Sequence, residues 1–247
     1  MNPLSVYRGL APVVAVVGAM ISLVGHRIGS GDDKGGAVTQ ANEVIYLVDD
    51  DVRVCEGLLE LLASHGMAVV TFSSAAEYLK HTRVDSAACL ILDLNMPQMG
   101  GLDLQRHLSG ESGPPIIFMS GKGDIPSTVR AMKGGAIEFL TKPLDEDALL
   151  TAIRTAFAQD RKLRQRHADL AKLRERLASL TPREREVLPL VVGGLLNKQA
   201  AAVLGISIVT LQVHRGQIMR KMAAKSLAEL VRMASKLGIR QSVSPSE

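Results

Sequence analysis

The chain has 247 residues, room for two modest domains, and its 47% hydrophobic content includes only 3% aromatics and no Trp, so its cores must be aliphatic. The net charge of +4 hides a division: residues 1–153 carry 11 Lys and Arg against 18 Asp and Glu (net −7), and residues 154–247 carry 18 against 7 (net +11). An acidic half that can hold a cation therefore precedes a basic half suited to a polyanion, most commonly nucleic acid, while Cys55 and Cys89, outside any CxxC or metal-spaced set, exclude a disulfide scaffold, a zinc finger and dithiol redox chemistry.

Residues 1–42 read as an N-terminal extension, non-functional or mis-started. Its uncharged stretch 9–25 is shorter than the ~20 apolar residues that span a bilayer and lacks a clear small-x-small cleavage site. Membrane tethering through 9–25 and a packed helix are the alternatives. A linker-like Ser30-Gly31-Asp32-Asp33-Lys34-Gly35-Gly36 follows.

From residue 44 onward, short apolar runs alternate with helical periodicity. A strand over 44–49 runs into Asp49, Asp50 and Asp51, and a helix over 52–65 sets Val54, Leu58, Leu61 and Leu62 on one face. A strand over 68–72 leads to a helix capped by Ser73-Ser74 and reaching Leu79. The strand 88–93 ends on Asp93 and gives way to the turn-rich loop 95–101. A helix over 102–108, a strand over 115–120 ending on Ser120, a helix over 125–133, a strand over 136–141 leading to Lys142, and a helix opened by Asp145 complete the pattern. Five strand–helix repeats specify an α/β fold with a doubly wound parallel sheet over 43–158.

Residues 159–179 form a charged helical linker. Leu163, Leu170, Leu173, Leu177 and Leu180 make a heptad-like seam, read as one side of a solvated helix or as a dimeric coiled segment. Within 180–240, Thr181-Pro182-Arg183-Glu184 is a capping box with proline at the first helical position. Pro189, inside that helix, should cost about 3 kcal/mol, and the sequence offers no account of it. A helix over 197–204, a Gly205-Ile206 turn, a Ser207-capped helix over 208–222 and a last helix over 226–237 read as a small all-α helix-turn-helix domain. Residues 241–247 are a tail.

Parallel strands deliver their C-terminal ends to one edge of a sheet, where ligands bind. That edge collects Asp49, Asp50, Asp51, Asp93, Ser120 and Lys142, the carboxylates, hydroxyl and lysine that Mg²⁺-dependent phosphoryl chemistry uses. A carboxylate can attack phosphorus to give an acyl phosphate, the role suited to Asp93. Asp49 and Asp50 suit Mg²⁺, Lys142 a phosphoryl oxygen, and Ser120 can donate its hydroxyl to the same group.

Val48-Asp49-Asp50, Leu92-Asp93-Leu94-Asn95-Met96-Pro97, Phe118-Met119-Ser120-Gly121 and Phe139-Leu140-Thr141-Lys142-Pro143, in that order, resemble the receiver domain of bacterial two-component response regulators. The resemblance implies a flavodoxin-like (βα)5 fold and transfer of a phosphoryl group from a cognate sensor histidine kinase to Asp93. It implies Mg²⁺ on Asp49, Asp50, Asp93 and the backbone carbonyl of Asn95, and a switch made by Ser120 and Phe139. Asp51 has no place in the family pattern. Haloacid-dehalogenase-like phosphatases also form aspartyl phosphates, but their nucleophile lies in an Asp-x-Asp pair after the first strand. Here the acid closes the third strand and residue 95 is Asn, so the chain reads as a regulator rather than an enzyme.

Leu180-Thr181-Pro182-Arg183-Glu184-Arg185-Glu186-Val187-Leu188, Asn197-Lys198, Val213-His214-Arg215 and Lys225-Ser226-Leu227-Ala228-Glu229-Leu230-Val231 resemble the LuxR/FixJ-type output domain. In the 208–222 helix, Leu211, Ile218 and Met222 fit an inward face, leaving Val209, Gln212, Val213, Gly216 and Arg220 outward. Gln212 can bond adenine edges and Val213 can meet a thymine methyl, while Lys198, Thr210, His214 and Arg215 are placed for phosphates. The resemblance implies double-stranded DNA as partner, dimerisation on phosphorylation and a cytoplasmic location. With no enhancer-type ATPase module, direct contact with RNA polymerase and activation are expected. The rival reading is a receiver acting through protein contacts, with a nonspecific polyanion-binding tail.

Overall fold

A computed structural model describes residues 43–110, 113–121 and 125–239. The readings for residues 1–42 and for the tail 241–247 lie outside them. Among the described residues, no helix is long and apolar enough to cross a membrane.

The described residues divide into two compact units, with the boundary between Lys162 and Leu163. In the first, β1 (Glu43–Val48), β2 (Ala68–Phe72), β3 (Ala87–Asp93), β4 (Ile116–Ser120) and β5 (Glu138–Thr141) alternate with α1 (Val52–Ser64), α2 (Ala75–Lys80), α3 (Gly101–Leu108), α4 (Ile125–Lys133) and the start of α5 (Glu146–Ala178). The strands form one sheet in the order β2-β1-β3-β4-β5, every pair parallel. The near-continuous apolar runs of β1, β3 and β4 are what a sheet covered on both faces requires. Leu58 and Leu62 of α1 and Leu149, Ile153, Ala156 and Phe157 of α5 cover one face. Ala75 and Tyr78 of α2, Leu104 of α3 and Ala131 of α4 cover the other.

The boundaries fall within one or two residues of those read from the sequence, for local reasons. Asp51 accepts from Arg53 N–H and caps α1, Ser74 caps α2, and Asp145 accepts from Ala148 N–H at the head of α5. The exception is α5, a single 33-residue helix where the sequence suggested a receiver helix followed by a linker. Asp160, buried on α5, accepts from Ala88 N–H at 3.0 Å and so fixes the helix to the start of β3.

The second unit comprises the end of α5 with α6 (Pro182–Val192), α7 (Asn197–Leu204), α8 (Ile208–Met222) and α9 (Leu227–Lys236). Leu177 and Leu180, read as part of a seam, pack into its core with Val187, Leu188, Leu211, Ile218, Met222 and Leu230. The capping box forms as read: Thr181 Oγ1 accepts from Glu184 N–H, and Glu184 Oε2 accepts from Thr181 N–H. Gly205 takes the left-handed conformation (φ 63°) that closes α7 and makes the tight turn. Pro189 stays inside a continuous α6. The carbonyl it deprives of a donor belongs to Arg185, an exposed residue where water can replace the lost N–H.

Candidate phosphorylation pocket and nucleic-acid interface

The parallel strands bring the pocket together as the sequence implied. Asp93 is the last residue of β3, Ser120 the last of β4, and Asp49 follows β1. Asp49 and Asp93 are 2% and 5% exposed. Lys142 bridges them: its Nζ lies 2.6 Å from Asp49 Oδ2 and 2.7 Å from Asp93 Oδ1. Lys142 is held by its own N–H, which donates to the Ser120 carbonyl at 2.8 Å.

The other carboxylate oxygens are aimed by backbone. Asp51 N–H donates to Asp49 Oδ1 at 2.9 Å, and Asn95 N–H donates to Asp93 Oδ2 at 2.7 Å. Asp93 is thereby oriented by one ammonium and one amide, with its carboxylate still facing the sheet edge. Burial raises the Asp49 pKa above the ordinary carboxylate value, opposed by the bond from Lys142, with the Asp93 charge adding to the rise. Burial works against the Lys142 ammonium too, but its bonds to Asp49 and Asp93 outweigh that and hold its pKa above that of free lysine. Cys55, whose Sγ touches the Asp49 carbonyl, has its thiol pushed up to about 11 by burial.

Asp50 and Asn95 are exposed beside this buried pair. Among the described residues no three or more His, Cys, Asp and Glu side chains converge into a metal cluster. The donors are oxygens only, two buried carboxylates with an exposed third nearby, which suits a hard cation that keeps water and takes few protein ligands. Ser120 is fully buried, and its Oγ accepts from Asn95 Nδ2 at 3.4 Å. Phe139 is half-buried and stacks on Phe118, centroids 6.3 Å apart. Asp51, left out of the metal set, is committed to capping α1 and pairing with Arg53, whose bonds lower its pKa.

In the second unit α8 divides as its periodicity suggested. Leu211, Ile218 and Met222 are buried, while Val209, Gln212, Val213, Gly216 and Arg220 are exposed. On its outward face Val209 and Val213 are 70% and 58% exposed. Lys198 is exposed on α7. Two of the residues assigned to phosphate have internal partners: Arg215, half-buried, donates to Asn197 Oδ1 at 2.9 Å, and the Thr210 hydroxyl bonds Ser207 Oγ at 2.8 Å. His214 is half-buried. Glu184, buried at the head of α6, accepts from Lys221 Nζ of α8 at 2.7 Å and so fixes α8 against α6.

The sequence reading missed Glu184–Lys221 as a strut and passed over Gln105, which is buried on α3. The available signal for Gln105 was a polar residue on the face shared by Gly101, Leu104 and Leu108.

The model of the response regulator receiver domain matches residues 45–154, and that of the luxR family of bacterial regulatory proteins matches residues 178–234. Nodulation protein W of Bradyrhizobium diazoefficiens is 45% identical over 207 residues, covering 83% of this chain and 91% of that protein. The chain is a response regulator with a luxR-type DNA-binding domain. Response regulator protein TodT of Pseudomonas putida is 47% identical over 196 residues, covering 78% of this response regulator and 86% of its relative. The solved structure of response regulator StyR is 47% identical with a TM-score of 0.69, covering 79% of this chain and all of that one. The sheet is thus a receiver, and α7–turn–α8 is the helix-turn-helix of a transcription regulator.

Proposed function

We propose that this response regulator is switched by a phosphoryl group carried on Asp93, and that the modified form pairs and binds its operator. The observation that carries the reading is Lys142 Nζ held between the buried Asp49 and Asp93 carboxylates. In the reaction, an Asp93 oxygen forms a bond to phosphorus as the bond to the donor nitrogen of a sensor kinase phosphohistidine breaks, and the imidazole leaves with that electron pair. Asp49, Asp50, Asp93 and the Asn95 carbonyl are the groups that would hold Mg²⁺, which when bound neutralises charge on the phosphoryl oxygens. Lys142 pairs with one of those oxygens, giving up part of its bond to Asp93. Ser120 supplies its hydroxyl to another, and the stacked Phe139 is the ring that would follow it.

The acyl phosphate adds roughly −1.5 to −2 charges to a site already acidic, and Ser120 at the end of β4 moves toward it to supply its hydroxyl, shifting β4 and the neighbouring β5. That shift bears on α4, where Ile125, 80% exposed, and the exposed Val129 and Met132 line up at i, i+4 and i+7. This apolar stripe is the proposed dimer face. A dimer presents two α8 helices to half-sites about one DNA turn apart. Gln212 and Val213 then face base edges, and Lys198 faces phosphate. Activation through RNA polymerase and a cytoplasmic location complete the reading.

The test is DNA affinity with and without acetyl phosphate and Mg²⁺, on a duplex selected in vitro by the phosphorylated chain. Phosphorylation is expected to tighten binding about tenfold or more and to promote self-association. Affinity and self-association both unchanged by phosphorylation contradict the reading. An affinity that is steep in salt but indifferent to sequence favours the rival polyanion-binding tail.

A further inference from the structure

Two contacts join the pocket to α4 by way of α3. At its start α3 rests on the nucleophile's own backbone. Gly101 N–H donates to the Leu94 carbonyl at 3.0 Å, and a Cβ on Gly101 would stand 2.3 Å from the Asp93 carbonyl oxygen and 2.9 Å from the Phe118 ring. No side chain fits between them, so a movement of the backbone at Asp93 reaches α3 through hard contact.

One turn further on, Gln105 is 5% exposed, and its Nε2 donates to the Ala131 carbonyl of α4 at 2.9 Å. Ala131 lies in the last turn of α4, where helical carbonyls lose their ordinary donors. The Gly135 N–H that would ordinarily serve it donates instead to Met132, and the Ala131 carbonyl accepts from Ala136 N–H at 3.2 Å as well as from Gln105. The Gln105 amide is also seated against the chain that leaves α4: a Cβ on Gly134 would fall 2.6 Å from its Oε1 and 2.7 Å from its Nε2. An amide buried on a helix face otherwise made of Gly101, Leu104 and Leu108 costs free energy unless it is bonded, and here its bond goes to α4.

We infer that Gln105 is a positioning residue for the phosphorylation response: it ties the Ile125, Val129 and Met132 face of α4 to the helix seated on Asp93. The inference rests on α4 being the dimer face proposed above. It assigns to Gln105 the coupling between the pocket and that face, and no part in the chemistry at Asp93.

The experiment uses the full chain as wild type, Gln105→Leu, Gly134→Ala and the double variant. Leucine keeps the volume and removes the donor. Alanine at Gly134, which unlike Gly135 (φ 91°) has no left-handed backbone to strain, displaces the amide while every core side chain is kept. Sedimentation equilibrium with and without acetyl phosphate and Mg²⁺ gives the ratio of the two dimer dissociation constants, and intact mass gives the extent of modification at Asp93. The adduct forms equally in all four proteins, while the ratio falls about tenfold in either single variant, the change that 1.4 kcal/mol produces. The double variant falls no further, because both substitutions break one contact. A lower melting temperature with the ratio unchanged makes Gln105 merely structural and overturns the inference. A wild-type ratio of one overturns instead the dimer reading beneath it.

Discussion

Replacing Lys142 by alanine removes the cation that lies between two buried carboxylates. The bonded oxygens of Asp49 and Asp93 stand 2.6 and 2.7 Å from Nζ, so they can be no more than about 5.3 Å apart. At an effective dielectric constant near 20, two unit charges at that separation repel by about 3 kcal/mol, a repulsion the ammonium offsets in wild type and nothing offsets in the variant. The same substitution strips each carboxylate of its charge-assisted bond, and the protein's escape is to protonate one of them, for which burial has already raised the Asp49 pKa. Lys142→Ala is therefore expected to lose about 3 kcal/mol of receiver stability at pH 7, with the loss shrinking toward pH 4 as a proton replaces the ammonium. Urea unfolding followed by far-ultraviolet circular dichroism, across pH 4–8 and with or without Mg²⁺, measures it. Millimolar Mg²⁺ should restore more stability to the variant than to wild type, since a divalent cation then supplies the missing charge. A loss below about 0.5 kcal/mol at pH 7, the size of an ordinary surface substitution, or a loss that grows toward acid, refutes the placement of Lys142 as the pocket's counter-ion.

Glu184 accepts from Lys221 and Thr181 N–H, and the Lys221 bond above all holds its pKa below the ordinary glutamate value of 4.5. Its contribution is thus fully present above pH 4.5 and lost as the pH falls through the lowered folded value; wild type should exceed Glu184→Gln by about 1–3 kcal/mol at pH 7, and the two should converge in thermal melts once the pH is below that lowered value. Ala223 closes α8 in the left-handed conformation at φ 54°, where only glycine is unstrained, so Ala223→Gly should raise the stability of the DNA-binding unit by about 1 kcal/mol in urea titrations. Lys198→Ala should weaken binding evenly across sequences and reduce the salt slope by about one charge, whereas Gln212→Ala should cost about 1–3 kcal/mol at one base pair and relax the preference there, both read by fluorescence anisotropy against a selected operator and its single-base variants.

Much of the pocket was legible because it follows from two rules of sequence pattern. Apolar runs ending in Asp49, Asp93 and Ser120 imply parallel strands, and parallel strands align their ends, so residues 93 positions apart come to share a hydrogen bond. The outward and inward faces of α8 were legible for a similar reason, since Leu211, Ile218 and Met222 repeat with the helical period. What escaped depends on partners that carry no side-chain signature. Gln105 and Asp160 each bond a backbone group, of Ala131 and Ala88, and any residue type offers that group. The leucines at the end of α5 misled in another way, since heptad spacing and the helical period differ too little over three turns to separate a coiled seam from a helix packing into its own unit. Arg215, assigned to phosphate from its place on the helix, is half-buried and bonded to Asn197, a burial its neighbours in sequence do not announce.

The central claim is that Asp93 carries the phosphoryl group. Intact-mass measurement after incubation with acetyl phosphate and Mg²⁺, wild type beside Asp93→Ala, tests it most directly. A single phosphoryl adduct, stable to acid and labile to base, on wild type alone is the predicted result. An adduct on both proteins, or none on a folded wild type that binds Mg²⁺, would contradict it.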